Sequence, residues 1–507
     1  MDLFSLRSSL IDGYSAFARS FTHIGADDIR SQVDQTFDSG RYWPQPLIQI
    51  NPRFKPGKSI TEHVAAGELH SGTERIFQAG GEPLRLHRHQ SEAIALARAG
   101  HSYVVTTGTG SGKSLCFFIP IVDAILRAKA EDPTPRTRAI VIYPMNALAN
   151  SQLEELQKFL PGLTPPVTFA RYTGQEREEV REQIRANPPD ILLTNFMMLE
   201  LLLTRQDALD REVIDHCADL RFLVLDELHT YRGRQGADVA LLVRRVRQRL
   251  NAERLQCIGT SATMASEGSQ EEKNRVVAEV AAKLFDAAIE PGDVITETLE
   301  RATDPTRTAD SVATELTEAI TAGGFERLAD AQLRGHPLAI WVETTLGLDF
   351  RDGKPVRAKP LTVDEAAVAL ATTSGLDREY CLTALQAFLL AAALPERERM
   401  PGRSDSPNPF FAFKLHQFLS GAATAYVTLE PPGTRAVVLE GQQYLPGSED
   451  LKRLYPTYFC RDCGQEYHGV RQRVEGGAPV LLPRDIDDVT AIKDEDAADA
   501  DSEGEQT

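Results

Sequence analysis

The stretch Val104-Val-Thr-Thr-Gly-Thr-Gly-Ser-Gly-Lys-Ser114 decides how this chain of 507 residues folds. Val104 and Val105 end a strand, and a helical pattern follows Ser114. Between them, Gly108, Gly110 and Gly112 carry no Cβ, so backbone N–H groups can turn inward and cradle phosphate oxygens. Lys113 can reach the β- and γ-phosphates, and the Ser114 hydroxyl can bind Mg²⁺. The helix that begins here points its positive end at the anion. Thr107, Gly108, Thr109, Gly110, Ser111, Gly112, Lys113 and Ser114 are thus the expected ligands of a nucleoside triphosphate. The strict pattern opens with Gly or Ala. Thr107 departs from it, while the phosphate-facing part is intact.

Outward from this loop, short apolar runs alternate with helical stretches from Pro83 to Thr263. That alternation predicts an α/β fold, a parallel sheet with helices on both faces. The expected strands are Tyr103–Thr106, Ala139–Tyr143, Val167–Tyr172, Ile191–Thr194, Phe222–Leu225 and Gln256–Thr260. Length suggests about three domains. Residues 1–80 form an N-terminal region, and 81–265 the nucleotide-binding domain. A mainly helical accessory domain is expected over 266–400, and a small β-rich element with a Cys pair over 401–483. The formal charge is −18, and residues 484–507 hold ten acidic and two basic side chains, which predicts a disordered acidic tail. A nucleic-acid site on such a chain must be a focused groove rather than a basic coat. The six cysteines form no disulfide framework and fit a reducing, cytoplasmic setting. Neither a signal peptide nor a membrane span is expected.

Two further motifs follow strands. In Val224-Leu-Asp-Glu-Leu-His229, Asp226 can hold Mg²⁺ and Glu227 can polarise an attacking water, with Lys113 completing the catalytic set. His229 is expected to relay nucleotide state. In Gly259-Thr-Ser-Ala-Thr263, the hydroxyls could bond these carboxylates and His229, with Ser261 and Thr263 coupling the nucleotide to the rest of the lobe. Upstream, Gln90 opens a helix, and its amide could read the N6 donor and N7 acceptor of adenine, favouring ATP.

These segments resemble the first motor lobe of superfamily 2 helicases of the DEAD/DEAH-box group. Gln90, Gly108–Ser114, Asp226–His229 and Ser261–Thr263 match that family's Q motif and motifs I, II and III. Tyr143-Pro-Met-Asn-Ala-Leu148 resembles motif Ia, and Arg171–Gly174 and Thr194–Asn195 resemble the nucleic-acid-facing segments after it. Asp226-Glu-Leu-His-Thr-Tyr-Arg-Gly233 is similar to the RecQ-related branch with a Cys-rich module, near which the helicases of the Druantia and DISARM anti-phage systems belong. The resemblance implies a RecA-like phosphate-loop fold, ATP and Mg²⁺ as cofactors, and hydrolase activity. It also implies DNA, single-stranded or duplex with a single-stranded end, held across the lobe. Its phosphates would meet Pro144, Asn146, Arg171, Thr173, Gly174, Thr194 and Asn195. Such contacts position a strand without reading its sequence.

That family's second lobe carries Gly-Arg-x-Gly-Arg, which residues 264–507 lack. The expectation is one half of a motor, completed by a C-terminal part or by a partner chain, in phage defence or DNA repair. The alternatives are a binding module for ATP and nucleic acid without useful turnover, and an RNA helicase. Cys460-x-x-Cys463 is half of a zinc site, with His468 as the nearest third candidate; two reduced cysteines in a small β element is the other reading.

Overall fold

Seven short strands build the layer that carries the phosphate loop. They are β1 (Tyr103–Thr106), β2 (Ala139–Tyr143), β3 (Phe169–Arg171), β4 (Ile191–Asn195), β5 (Phe222–Leu225), β6 (Gln256–Ser261) and β7 (Val294–Thr296). In the computed structural model they lie in the order β7-β1-β6-β5-β2-β4-β3, and every pairing is parallel. All residues are described except 1, 21–22, 109, 162–165, 263–268, 352, 403–407, 421–423, 449, 476 and 484–507. Thr109, Thr263 and the acidic tail therefore lie outside the described residues. The chain divides into two units: Pro52–Arg301 with Arg351–Val356, and Met1–Asn51 with Ala302–Phe350 and Arg357–Thr507.

The first of these units is an α/β sandwich. Side chains alternate across each strand. Ala139, Val141 and Tyr143 face a core shared with Phe117, Ile121 and Ile125 of α2 (Leu115–Glu131) and with Ala93 and Ile94 of α1 (Arg88–Arg98). Ile140 and Ile142 face the opposite core. That core is built from α3 (Phe196–Thr204), α4 (Gly233–Arg249) and α5 (Gln270–Phe285) through Leu199, Leu242, Val243, Ala281 and Phe285. Both faces being covered, the strands read as continuous apolar runs. α5 and β7, drawn from the stretch 266–400 expected to be mainly helical, complete this layer.

Pro120 sits inside α2 and has no N–H to give the carbonyl of Cys116. The buried Tyr103 hydroxyl on β1 donates to that carbonyl at 2.7 Å, so the helix after the phosphate loop is bonded to the strand before it. At the opposite edge of the sheet, Asp190 is 2% exposed. It accepts from Arg138 Nη1 at 2.9 Å, Lys129 Nζ at 2.9 Å, Thr168 N–H at 2.9 Å and the Thr168 hydroxyl at 3.0 Å.

The second unit has a helical core around Trp341, Leu385, Phe388 and Leu389. Leu47–Asn51 pairs antiparallel with Leu361–Thr362 on one side and Ala412–His416 on the other. A four-stranded antiparallel sheet follows, in which Tyr455–Phe459 pairs with Glu466–His468 around the Cys460–Cys463 turn. Arg435 ties that sheet to the N-terminal helix Asp27–Asp38 through Asp28, and also pairs with Glu466. Among the described residues, no helix is long and apolar enough to cross a membrane.

Removing the Asp190 carboxylate strands the buried Arg138 guanidinium. Asp190→Ala should lower the stability of the α/β unit by about 3–5 kcal/mol. A fall in its urea midpoint, followed by far-UV circular dichroism, would show this, and an unchanged midpoint would contradict it.

Candidate nucleotide and nucleic-acid site

The phosphate loop leaves β1 at Thr106 and is held by side chains on three sides. Thr107, the departure from the strict pattern, is buried, and its hydroxyl meets the Ser111 hydroxyl at 2.6 Å across the loop. His89 Nε2 lies 2.8 Å from the Ser111 carbonyl. Gln90 Nε2 donates to the Gly112 carbonyl at 3.1 Å, while its Oε1 accepts from the His87 N–H at 2.8 Å. Both ends of the Gln90 amide, expected to face adenine, thus engage the backbone of the loop and of its own helix. Gly110 and Gly112 have φ of +79° and +70°, where a side chain is strained. A Cβ on Gly112 would also lie 2.6 Å from Gln90 Nε2.

Lys113 follows directly. Its Nζ is buried, finds no hydrogen-bond acceptor among the described residues, and lies 3.8 Å from Glu227 Oε1. Ser114 closes the loop at the start of α2. Asp226, just past β5, is anchored by its N–H to the Ile142 carbonyl at 3.0 Å. Burial pushes its carboxyl above the usual value; the Thr260 hydroxyl, which donates to Oδ1, opposes this, and the neighbouring Glu227 charge adds to it. Thr260 also accepts from the Glu227 N–H at 3.2 Å, so one hydroxyl joins both carboxylate residues. Glu227 has a φ of +54°, and its Oε2 lies 3.3 Å from His229 Nδ1. His229 Nδ1 in turn lies 3.2 Å from the Ser261 hydroxyl. Among the hydroxyls of the Gly259–Thr263 motif, Thr260 is the one that meets Asp226 and the Glu227 N–H, and Ser261 meets His229. Thr260 is set apart only by strand register: paired with Val105 on one neighbour, it stands at the end of β6 beside Asp226.

The segments after β2, β3 and β4 come together on the same edge. Asn195 Nδ2 donates to Asn146 Oδ1 at 2.7 Å and to the Thr173 carbonyl at 3.3 Å, and its Oδ1 caps α3 through the Met198 N–H at 2.7 Å. Thr194 is fully buried and donates to the Tyr172 carbonyl at 2.6 Å, so it positions Tyr172 and does not face solvent. The N–H groups of Thr173 and Gly174 donate to Glu176 at 2.7 and 3.0 Å, and Arg171 Nε donates to the same carboxylate at 2.5 Å. Pro144 lies between β2 and Asn146. Met145 and Met197, 59% and 62% exposed, flank Asn146 and Asn195.

The cysteine pair belongs to the other unit. Cys460 and Cys463 are free thiols, and hydrogen bonds from the backbone of Cys463 and then Asp462 hold the Cys460 thiol below its usual value. The His468 ring meets the Thr457 hydroxyl at 3.5 Å. Among the described residues, no group of three or more His, Cys, Asp or Glu side chains is placed to hold a metal ion.

Residues 87–271 match the DEAD/DEAH box helicase family. The Druantia protein DruE of Escherichia coli (strain UMEA 4076-1) is 26% identical over 335 residues, which cover 44% of this chain and 18% of DruE. The uncharacterized ATP-dependent helicase YprA of Bacillus subtilis (strain 168) is 32% identical over 211 residues, 41% of this chain and 26% of YprA. A crystal structure of the DUF1998 helicase MrfA bound to DNA aligns with a TM-score of 0.38 and 22% identity, over 57% of this chain and 36% of that one. The matched segment spans about a fifth to a quarter of the length of the two curated relatives. Residues 87–271 thus resemble a DEAD/DEAH box helicase domain.

Gly112→Ala tests the geometry of the loop. The positive φ costs about 1–3 kcal/mol for a residue with a Cβ, and the methyl group displaces Gln90. Mg-ATP affinity measured by titration calorimetry should fall about tenfold or more, in keeping with that strain. An affinity equal to wild type would show that the loop is not held as described.

Proposed function

We propose that this chain is the ATP-binding lobe of a superfamily 2 DNA helicase or translocase, which uses ATP to move on or open DNA together with a second motor lobe. The observation that carries this reading is the buried Lys113 ammonium, without a hydrogen-bond acceptor among the described residues, set between a glycine loop and two carboxylates. A buried ammonium whose one ion pair, to Glu227, is long and makes no hydrogen bond is costly. A triphosphate supplies the missing charge, so the residues present fit Mg-ATP. Ser114 and Asp226 would hold the Mg²⁺, and Lys113 with the loop N–H groups would hold the phosphates. When bound, Mg²⁺ neutralises charge that develops on the transferred phosphoryl group. Glu227 Oε2, which makes no hydrogen bond among the described residues and lies near His229, would orient a water. His229, in reach of both Glu227 and Ser261, connects that water to β6. Gln90 acts on the nucleotide through the loop carbonyl it holds.

DNA is the proposed track, bound along Pro144–Asn146, Arg171–Gly174 and Asn195, with Thr194 as a support. The likeness to DruE supports a role in defence against phage. A narrow polar track of loop N–H groups and amides suits an acidic chain, because backbone phosphates can be held without a broad basic surface.

Titration calorimetry on the full chain is the test. Mg-ATP should bind, and Lys113→Ala should lose about tenfold or more by removing a charge-assisted phosphate contact. Glu227→Gln should keep binding and remove phosphate release. Single-stranded DNA should bind weakly, independently of sequence and with strong salt dependence, and Arg171→Ala should weaken it in fluorescence anisotropy. Equal ATP affinity for wild type and Lys113→Ala would overturn the reading.

A further inference from the structure

β7 ends at Thr296, paired with Thr106, the last strand residue before the phosphate loop. The next residue, Glu297, reaches back to that loop: its Oε2 accepts from the Gly108 N–H at 2.9 Å. The segment carrying it is held on both sides. Upstream, the Thr106 hydroxyl donates to the Ile295 carbonyl at 3.3 Å. Downstream, the Lys55 N–H donates to the Thr298 carbonyl at 2.8 Å, and Leu299–Glu300 pairs antiparallel with Arg53–Phe54. The Glu297 charge also reaches His89, which lies under the loop against the Ser111 carbonyl. A carboxylate on a backbone N–H of a phosphate loop resembles a phosphate in charge and in acceptor character.

We propose that Glu297 is a resident anion of the phosphate loop, competing with the nucleotide for it and so setting ATP affinity. This rests on the ATP-binding reading above and deepens it. Two anions on one partly buried loop repel each other, with less screening than in bulk water. Nucleotide binding therefore drives Glu297 off Gly108 and loosens residues 297–300. The connection that leaves the sheet after β7 thereby senses whether the loop is filled.

Glu297→Gln keeps the size and the acceptor and removes the charge. Glu297→Ala removes both. Under the proposal each variant binds Mg-ATP more tightly than wild type, on the order of fivefold to thirtyfold, the range of a coupling between neighbouring sites. The gain shrinks as salt rises. In wild type, Mg-ATP also increases hydrogen exchange in residues 297–300. If Glu297 merely braces the loop, Glu297→Gln binds as wild type does and Glu297→Ala binds more weakly, and the proposal is overturned. In that case wild-type binding with its loss in Lys113→Ala leaves the ATP reading standing. If wild type and both variants fail to bind Mg-ATP, the proposal and the ATP reading fall together. Binding by Glu297→Gln where wild type binds weakly would support both.

Discussion

The all-parallel ladder is the constraint on which the rest of the site depends. Because β1 to β7 run in one direction, their C-terminal ends share one edge, where ligands of open α/β sheets bind. The phosphate loop follows β1, Asp226 follows β5, and Ser261 ends β6. Asn146 and Asn195 follow or end β2 and β4 on the same edge and are hydrogen-bonded to each other. Residues far apart in sequence become one polar rim because the register of Ile142 against Leu225, and of Ser261 against Thr106, leaves no other place for them. Tyr103, bonded to the carbonyl that Pro120 frees, fixes the helix after the loop to the strand before it.

Charge on this rim is arranged as though anions were already expected there. Lys113 has no hydrogen-bond acceptor among the described residues, and backbone N–H groups that a phosphate could use are met by carboxylates of the chain itself. Gly108 has Glu297, and Thr173 and Gly174 have Glu176. The net charge of −18 is thus compatible with an anion-binding edge. What matters there is the local direction of N–H groups and a single buried ammonium, not the sum over the surface. Asp226, raised by burial, and Glu227, in the left-handed region, are the strained partners of this arrangement, and Thr260 holds both.

Much of this was legible in the residues. Three strands, Tyr103–Thr106, Ala139–Tyr143 and Phe222–Leu225, begin and end where the apolar runs do, because both faces are buried and the runs stop at polar residues or at Pro144. β7 was not legible: Val294-Ile-Thr296 is too short to carry a period, and the pairing that makes it a strand comes entirely from β1. For the same reason Glu297 was invisible, since its contact spans 189 residues of chain. Thr194 looked like a surface hydroxyl, and only its place in β4, beside Tyr172, shows that it is buried. Gln90 was expected at the base, but in the structure it holds the loop, since a side chain at a helix start can bond whichever backbone lies nearest.

If one sheet edge serves both ligands, they must influence each other. The most direct measurement is the affinity of the full chain for a fluorescent single-stranded DNA, with and without a non-hydrolysable Mg-ATP analogue, at fixed low salt. The shared edge predicts a change of about fivefold or more, matched by an equal change in analogue affinity when DNA is present, as linkage requires. Identical DNA affinities in the two conditions, with both ligands shown to bind, would contradict the account.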